Sequence, residues 1–361
     1  MSPRLPPSDH CDGTRFHNPV LPGQTGQAGA SGPLAILRWR LSGSRAPWPR
    51  PIADPPPFGD PRREPDQDSV ALTFLGHAGF LIRMGGRSIL TDPVFSQRCS
   101  PVAWAGPQRA RPPGRPLDAL PPIDLVLLSH NHYDHLDLPS LRAIVARDDP
   151  AFVVPLGTGR TVAKAVSKAV SKAGRRRITE LDWWQTHDFG GLSITATPAR
   201  HFSARTPFDR NRALWSGFLL SGGPMPVLFA GDSGDGPHWR QIHDRLGAPG
   251  LALLPIGAYA PRFLMGAIHM TPEEAVAAHL ALRAERSIGM HFGTFQLTDE
   301  QIDEPIRRLA EAVRQAGLDP GAFITLGCGD VHTVRRGTRR RAPGSPADVA
   351  STRAPTHQES R

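Results

Sequence analysis

One short stretch limits what this chain can fold into more than any other. It places four metal-binding side chains within six residues and reads Ser129-His130-Asn131-His132-Tyr133-Asp134-His135. It directly follows an apolar run at 123–128 that begins after a Pro pair. A short apolar run bounded in this way predicts a buried strand. We therefore expect the motif on the loop leaving the carboxyl end of that strand, where α/β sheets commonly place their binding sites.

The spacing within the motif predicts two neighbouring metal positions. Alternate side chains of an extended loop point the same way, so His130 and His132 can bind one metal ion together. Asp134 and His135 follow where the chain turns, and they can reach a second ion. Imidazole and carboxylate groups suit Zn²⁺, and Mn²⁺ or Fe²⁺ can be held by the same ligands. A polar loop that is rich in His by chance is the alternative, and three His and one Asp in this register argue against it.

Three more residues with suitable side chains follow predicted strands elsewhere in the chain. We expect His201 to complete the first metal site and His291 to complete the second. Asp232 has the charge and reach to bridge the two ions, although it could also be a plain turn residue. Ions bridged in this way lie about 3.5–4 Å apart and can hold a hydroxide between them as the nucleophile.

Three other residues are expected around the metal ligands. Asp92 precedes Pro93, so it is either a carboxylate that holds a ligand His in one tautomer or an Asx turn, and the sequence leaves both open. His77 follows the first predicted strand and is expected to be a hydrogen-bonded pocket residue. His269 lies just before Thr271, a predicted helix N-cap, and is expected to line the pocket.

Length and composition predict one large domain with two extensions. The 361 residues, of which 39% are hydrophobic, suffice for a substantial core. We assign 69–334 to the globular domain, 1–68 to a Pro/Gly-rich extension that packs partly on it, and 335–361 to a disordered Arg-rich tail. Within the extension, the apolar residues 34–41 could form a short packing helix or an anchor at a lipid surface.

Charge and cysteine content restrict the partners and the compartment. The formal charge is +9, but seven Arg against Asp348 and Glu359 place +5 of it in the last 29 residues. No nucleic-acid partner is therefore expected. Three scattered cysteines predict no disulfide framework, and neither a membrane span nor a secretory signal is visible. We expect a cytoplasmic protein that can contact the inner face of the membrane.

The metal motif resembles the His-x-His-x-Asp-His sequence of the metallo-β-lactamase superfamily. Segments between residues 15 and 332, such as Leu75-Gly76-His77 and Asp92-Pro93, are similar to its N-acylphosphatidylethanolamine-hydrolysing phospholipase D family. This resemblance implies an α/β fold built as a four-layer αββα sandwich with two zinc ions. The metal ligands of the family correspond to His130, His132, Asp134, His135, His201, Asp232 and His291.

The same resemblance implies an activity. A metal-bridging hydroxide would attack the phosphodiester of N-acylphosphatidylethanolamine, releasing phosphatidic acid and an N-acylethanolamine. Asp134 and Asp232 would act in catalysis, and Tyr259 and His269 would line the pocket. A phospholipid or other phosphodiester is the expected substrate, and a homodimer is compatible with the resemblance. The alternatives are another hydrolase of this fold, such as a sugar-phosphate lactonase, or a non-catalytic member that binds metal or lipid.

Overall fold

In the part of the chain that the structure describes, two seven-stranded sheets form the centre of the fold. The computed structural model describes residues 7–20, 38–39, 41, 45–49, 51–167 and 177–336. The first sheet has the order β14-β1-β2-β3-β4-β5-β6 and consists of β1 (Ser69–Gly76), β2 (Gly79–Met84), β3 (Arg87–Thr91), β4 (Leu125–Leu127), β5 (Ala151–Pro155), β6 (Ile178–Leu181) and β14 (Val331–Arg335). The second has the order β13-β12-β11-β10-β9-β8-β7 and consists of β7 (Thr186–Phe189), β8 (Leu192–Thr197), β9 (Gly217–Ser221), β10 (Val227–Phe229), β11 (Leu251–Pro255), β12 (Arg286–Met290) and β13 (Phe323–Ile324).

Helices cover the outer face of each sheet. The described residues include the helices α1 (Leu138–Asp148), α2 (Gly159–Val166), α3 (His238–Leu246), α4 (Arg262–Met265), α5 (Pro272–Leu282) and α6 (Glu304–Gln315). Side chains of α1 and α2 share an apolar cluster with one face of the first sheet, whereas α3, α5 and α6 contribute to the cluster that includes the second sheet. The resulting order of layers is helix, sheet, sheet, helix, so the predicted αββα sandwich is confirmed.

The alternation of side chains along each strand explains why the two sheets pack face to face. On β1 and β2, residues such as Leu72 and Ile82 point into the central cluster together with Phe218 and Leu220 of β9. The intervening Leu81 instead packs with the outer helices. Because successive side chains of a strand point to opposite faces, strands that are apolar at every position must be covered on both sides.

Strand direction brings several strand ends to one edge of the sandwich. In the first sheet β3 and β4 are parallel. In the second, β10, β11 and β12 are parallel, and β8 has the same direction because β8 and β10 are both antiparallel to β9. The loops that follow β3, β4, β8, β10 and β12 therefore leave the sheets at their carboxyl ends, as the sequence analysis predicts for the candidate ligands.

Two helix boundaries illustrate local sequence control. The predicted capping box of α5 is present: Thr271 Oγ1 accepts from the backbone N–H of Glu274, and Glu274 accepts from that of Thr271. The last helix, α6, begins at Glu304, with Pro305 in its first turn. Proline is favoured in the first turn because a backbone N–H there would have no acceptor within the helix, so the N–H that proline lacks is not needed.

The extensions are described only in part. Residues 7–20 pack on the domain through Cys11 and Phe16, which share an apolar cluster with Trp183 and Trp215. Most of the predicted 34–41 segment and residues 337–361 of the predicted tail lie outside the described residues, and the proposed domain boundaries stay predictions. None of the described helices has the length and apolar character needed to cross a membrane.

Candidate metal centre

The first group of candidate ligands consists of three imidazoles. His130 Nε2 lies 2.8 Å from His132 Nδ1, which lies 3.2 Å from His201 Nε2. In two of the rings the nitrogen that faces away from the group has a hydrogen-bond partner. His130 Nδ1 lies 2.9 Å from Ser129 Oγ, and His201 Nδ1 lies 3.0 Å from the carbonyl oxygen of Ile268. The three remaining nitrogens converge, which is the arrangement that three ligands of one ion require.

Electrostatics favours the neutral form of these imidazoles. Burial lowers the pKa of His132 to about 3 and that of His201 to about 4. Burial also holds the pKa of His130 well below its usual value, and the neighbouring His135 adds to the effect. Neutral imidazole is the form that binds a metal ion, so this group can bind without first losing protons.

The second group surrounds Asp134. Its Oδ2 lies 2.9 Å from His77 Nε2, 3.4 Å from His135 Nε2 and 3.5 Å from His291 Nε2. The structure thus brings together the predicted members Asp134, His135 and His291. It also places His77 against Asp134 as a hydrogen-bonded neighbour, in the pocket position that its sequence context predicts.

Asp232 connects the two groups. Its Oδ2 lies 3.0 Å from His291 Nε2, 3.1 Å from His135 Nε2 and 3.7 Å from His201 Nε2. One carboxylate oxygen therefore faces ligands of both predicted sites, which is the position that a bridging ligand must occupy. Gly231 makes this possible: its φ is 61°, and a Cβ there would lie 2.7 Å from Cβ of Ser129.

Asp92 fixes the orientation of a candidate ligand. Its Oδ2 accepts from His135 Nδ1 at 2.6 Å and from Ser129 Oγ at 2.5 Å, and its Oδ1 accepts from the backbone N–H of Ser129 at 2.7 Å. With Nδ1 of His135 engaged, its Nε2 points toward Asp134 and Asp232. Of the two readings left open by the sequence, this geometry corresponds to the carboxylate that holds a His tautomer.

The second group carries charge that suits a cation. Burial opposes ionisation of Asp134 and Asp232, but the neighbouring imidazoles, His135 foremost, together outweigh it, and the pKa of each carboxyl lies well below its usual value. Burial likewise opposes protonation of His291, but the carboxylates of Asp232 and Asp134 together outweigh it and raise the pKa of His291 to about 9. The two carboxylates thus stabilise a positive charge placed between them, even though the site is buried.

Several buried polar atoms at this centre have no hydrogen-bond partner among the described residues. They include His135 Nε2, His269 Nδ1, Asp232 Oδ1 and both ring nitrogens of His291. Unpartnered buried polar atoms are costly, and four or more in one place indicate a missing ligand. Imidazole nitrogens beside carboxylate oxygens fit divalent metal ions, so the residues present fit the two ions that the resemblance implies.

Backbone strain is also concentrated here. His77, Asp92 and His291 have φ values of 58°, 33° and 62°, in the left-handed region that non-glycine residues rarely adopt. Each such residue costs on the order of 1–3 kcal/mol and persists where the surroundings require it, often at functional sites. All three side chains contact the cluster, and this signal is not readable from the sequence.

The two pocket residues predicted from the resemblance have different positions. His269 is buried beside the cluster, with its Nδ1 3.9 Å from Asp232 Oδ2 and its ring 5.0 Å from that of His201. The hydroxyl of Tyr259 instead donates to Glu304 at 2.7 Å, and Arg308 lies over its ring. Tyr259 thus braces α6, and the structure does not bring its hydroxyl to the candidate ligands.

A cavity of about 410 Å³ opens beside the motif loop. Its lining includes Tyr133 together with three arginines, Arg98, Arg142 and Arg205. These guanidinium groups donate to neutral oxygens, and none forms an ion pair with a carboxylate of a described residue. With these three arginines and the carboxylate of Asp137 in its lining, the cavity offers net positive charge beside the motif loop.

Comparison with known proteins identifies the family. The model of the "Beta-lactamase superfamily domain" matches residues 87–292, more than half of the chain. The chain belongs to the metallo-β-lactamase superfamily. It is a metal-dependent hydrolase of that fold, and the predicted resemblance to the phospholipase D family within the superfamily is confirmed by its relatives.

Two relatives and one solved structure are similar to this chain. An uncharacterised protein of Mycobacterium tuberculosis is 40% identical over 287 residues, which are 77% of this chain and 73% of that protein. The N-acyl-phosphatidylethanolamine-hydrolyzing phospholipase D 1 of Caenorhabditis elegans is 37% identical over 273 residues, 73% of this chain and 76% of that protein. The metallo hydrolase Igni18 of Ignicoccus hospitalis shares the fold, with a TM-score of 0.54 and 24% identity over 74% of this chain and 100% of its own.

Proposed function

We propose that this metallo-β-lactamase-fold hydrolase is a dinuclear, zinc-dependent phosphodiesterase of the phospholipase D type. It hydrolyses N-acylphosphatidylethanolamine to phosphatidic acid and an N-acylethanolamine. The observation that carries the proposal is the position of Asp232 Oδ2 between two groups of ligands. The relative of Caenorhabditis elegans, whose name states this substrate, supports the choice of lipid.

The residues that would hold the ions are those of the two groups. His130, His132 and His201 would bind the first ion, Asp134, His135 and His291 the second, and Asp232 both. Bound ions of this kind supply an activated water and positive charge for the phosphoryl oxygens. Asp92 keeps His135 in the tautomer that turns Nε2 toward the centre.

Proton transfer falls to Asp134 and His77. Asp134 is the partly exposed carboxylate of the cluster, and its Oδ2 accepts a hydrogen bond from His77 Nε2 at 2.9 Å. Burial lowers the pKa of His77 to about 3, so its imidazole is neutral and donates through Nε2. His77 thereby orients the ionised carboxylate of Asp134, which lies at the exposed edge of the centre and can accept a proton from the attacking water and relay it to the departing alkoxide.

The arginine-lined cavity supports an anionic substrate. Arg205 donates from Nη1 to the carbonyl oxygens of Asn131 and Leu136, both at 2.8 Å, so it is tied to the metal motif. With Arg98 and Arg142 on the same cavity, it can bind phosphate oxygens while the apolar Val102 and Leu138 contact lipid. The cavity thus offers a charged subsite beside the motif loop, which contributes Tyr133 to its lining.

The test compares a lipid and a soluble diester on one preparation. Zinc-loaded protein is given N-acylphosphatidylethanolamine in mixed micelles, or bis-p-nitrophenyl phosphate, in water labelled with heavy oxygen. We expect N-acylethanolamine release with the label in phosphatidic acid, and loss of both activities in Asp232→Asn. His187→Ala, on the edge strand β7, is the matched control and should retain them. Cleavage of the soluble diester alone would reject the lipid assignment.

A further inference from the structure

The N-terminal segment of residues 7–20 lies against the loop that presents His201. His10 Nε2 lies 2.7 Å from Asp182 Oδ1, and the backbone N–H of Phe16 donates to the carbonyl oxygen of Asn211 at 2.8 Å. Arg200, next to His201, donates from Nη1 to the carbonyl oxygen of Pro19 at 3.2 Å. The segment is thus fixed at several points although it precedes the first sheet strand by about fifty residues.

Asn18 of this segment holds the backbone of His201 from both sides. Its Nδ2 donates to the carbonyl oxygen of His201 at 2.8 Å, and its Oδ1 accepts from the backbone N–H of His201 at 3.2 Å. The same Oδ1 accepts from Nε1 of Trp215 at 3.2 Å. A primary amide is suited to this task because it has both a donor and an acceptor, as a peptide group has. Asn18 is 6% exposed, so water does not replace it readily.

The ring of His201 is held independently. Its Nδ1 lies 3.0 Å from the carbonyl oxygen of Ile268, which leaves Nε2 directed toward His132 and Asp232. Ile268 thus determines the rotation of the ring, whereas Asn18 determines the position of the backbone to which the ring is attached. A ligand must be held within a fraction of an ångström of its productive position, so the second restraint matters as much as the first.

We infer that Asn18 is a positioning residue of the metal centre, whose amide fixes the His201 backbone and so sets the affinity of the His130, His132 and His201 site. This inference rests on the metal assignment in the proposed function. It makes the N-terminal segment part of the metal site although no residue of the segment contributes a ligand. It also predicts different effects of Asn18 on the two sites, because none of the described hydrogen bonds of Asn18 reaches a ligand around Asp134.

The test measures metal binding without substrate. Metal-free protein is titrated with Zn²⁺ against a competing chelator, and Co²⁺ loading is followed by absorption. Asn18→Ala should lower the affinity for one of the two ions by about 10- to 100-fold and leave the other within about twofold. Asn18→Asp keeps the volume and the acceptor but replaces the donor, so it should produce a loss of the same kind. Val20→Ala, at an exposed position on the same segment, is the control.

The outcomes distinguish this inference from the proposed function. Near-ultraviolet circular dichroism of each metal-free variant checks folding, and Asn18→Asp decides the matter if Asn18→Ala does not fold. Wild-type affinity for both ions in a folded Asn18 variant would overturn the inference, as would an equal loss of both ions. A wild-type chain that binds two ions but does not hydrolyse the lipid would reject the substrate only, and the Asn18 result would still stand.

Discussion

Substituting Asp92 by asparagine should lower metal affinity through the tautomer of His135. The backbone N–H of Ser129 needs an acceptor, so the amide oxygen of the new side chain stays there and its NH₂ group faces His135 Nδ1. Nδ1 must then become the acceptor, and the ring proton moves to Nε2. That nitrogen lies 3.1 Å from Asp232 Oδ2, so the proton occupies the side on which the metal would bind.

The size of the effect follows from the position of Asp92 next to a ligand. Changing a partner that orients a metal ligand typically costs about 10- to 100-fold in metal affinity. This corresponds to about 1.4–2.7 kcal/mol of binding free energy. Since Asp92 is 1% exposed, water does not take over its role, and we expect the upper part of this range.

The assay is competition for Zn²⁺ between the protein and a chelator at neutral pH. Asp124→Asn is the matched control because Asp124 precedes β4 at the opposite end of the strand and accepts from the backbone N–H of Ser88 at 2.8 Å. It should leave zinc affinity within about twofold, since no ligand depends on it. Unchanged affinity in Asp92→Asn would refute the tautomer argument.

Three further outcomes are expected. His130→Ala should remove one ion and lower hydrolysis of either diester by more than about 100-fold, because a three-imidazole site loses one ligand. Elemental analysis of the metal content and measurement of the hydrolysis rates check this prediction. Full activity would refute the assignment. Deleting residues 338–361 should leave turnover of a soluble diester unchanged, whereas a large loss would make the tail part of the enzyme. Trp39→Ala should lower the free energy of unfolding by about 1 kcal/mol, since Trp39 Nε1 donates to Asp299 Oδ2 at 2.8 Å. It should change vesicle binding little. A selective loss of vesicle binding would instead indicate a lipid anchor.

The grouping of the candidate ligands in space could be predicted because it depends on strand ends. His201, Asp232 and His291 are far apart in sequence, but each follows a short apolar strand, and strands of one direction end at the same edge. The motif at residues 130–135 then indicated the two groups of candidate ligands to which these three residues were assigned. The outer strands were harder to predict: β6 and β7 are polar and half-exposed, and α3 has only Trp239 and Ile242 as clear apolar contacts.

Side-chain direction is the part that the sequence does not contain. Tyr259 lies in the loop that leaves the end of β11, and its hydroxyl donates to Glu304 on α6 instead of reaching the candidate ligands. The role of Asn18 depends on contact with His201 across 183 residues. Such relations arise from packing of distant segments, which no local pattern encodes.

The most direct test of the account is the metal content of the purified chain, measured together with its hydrolysis of N-acylphosphatidylethanolamine. The two ligand groups joined by Asp232 predict about two divalent ions per chain. Chelation should abolish release of the N-acylethanolamine, and restoring activity should require the second equivalent of Zn²⁺. A chain that binds one ion or none when fully active would contradict the dinuclear centre.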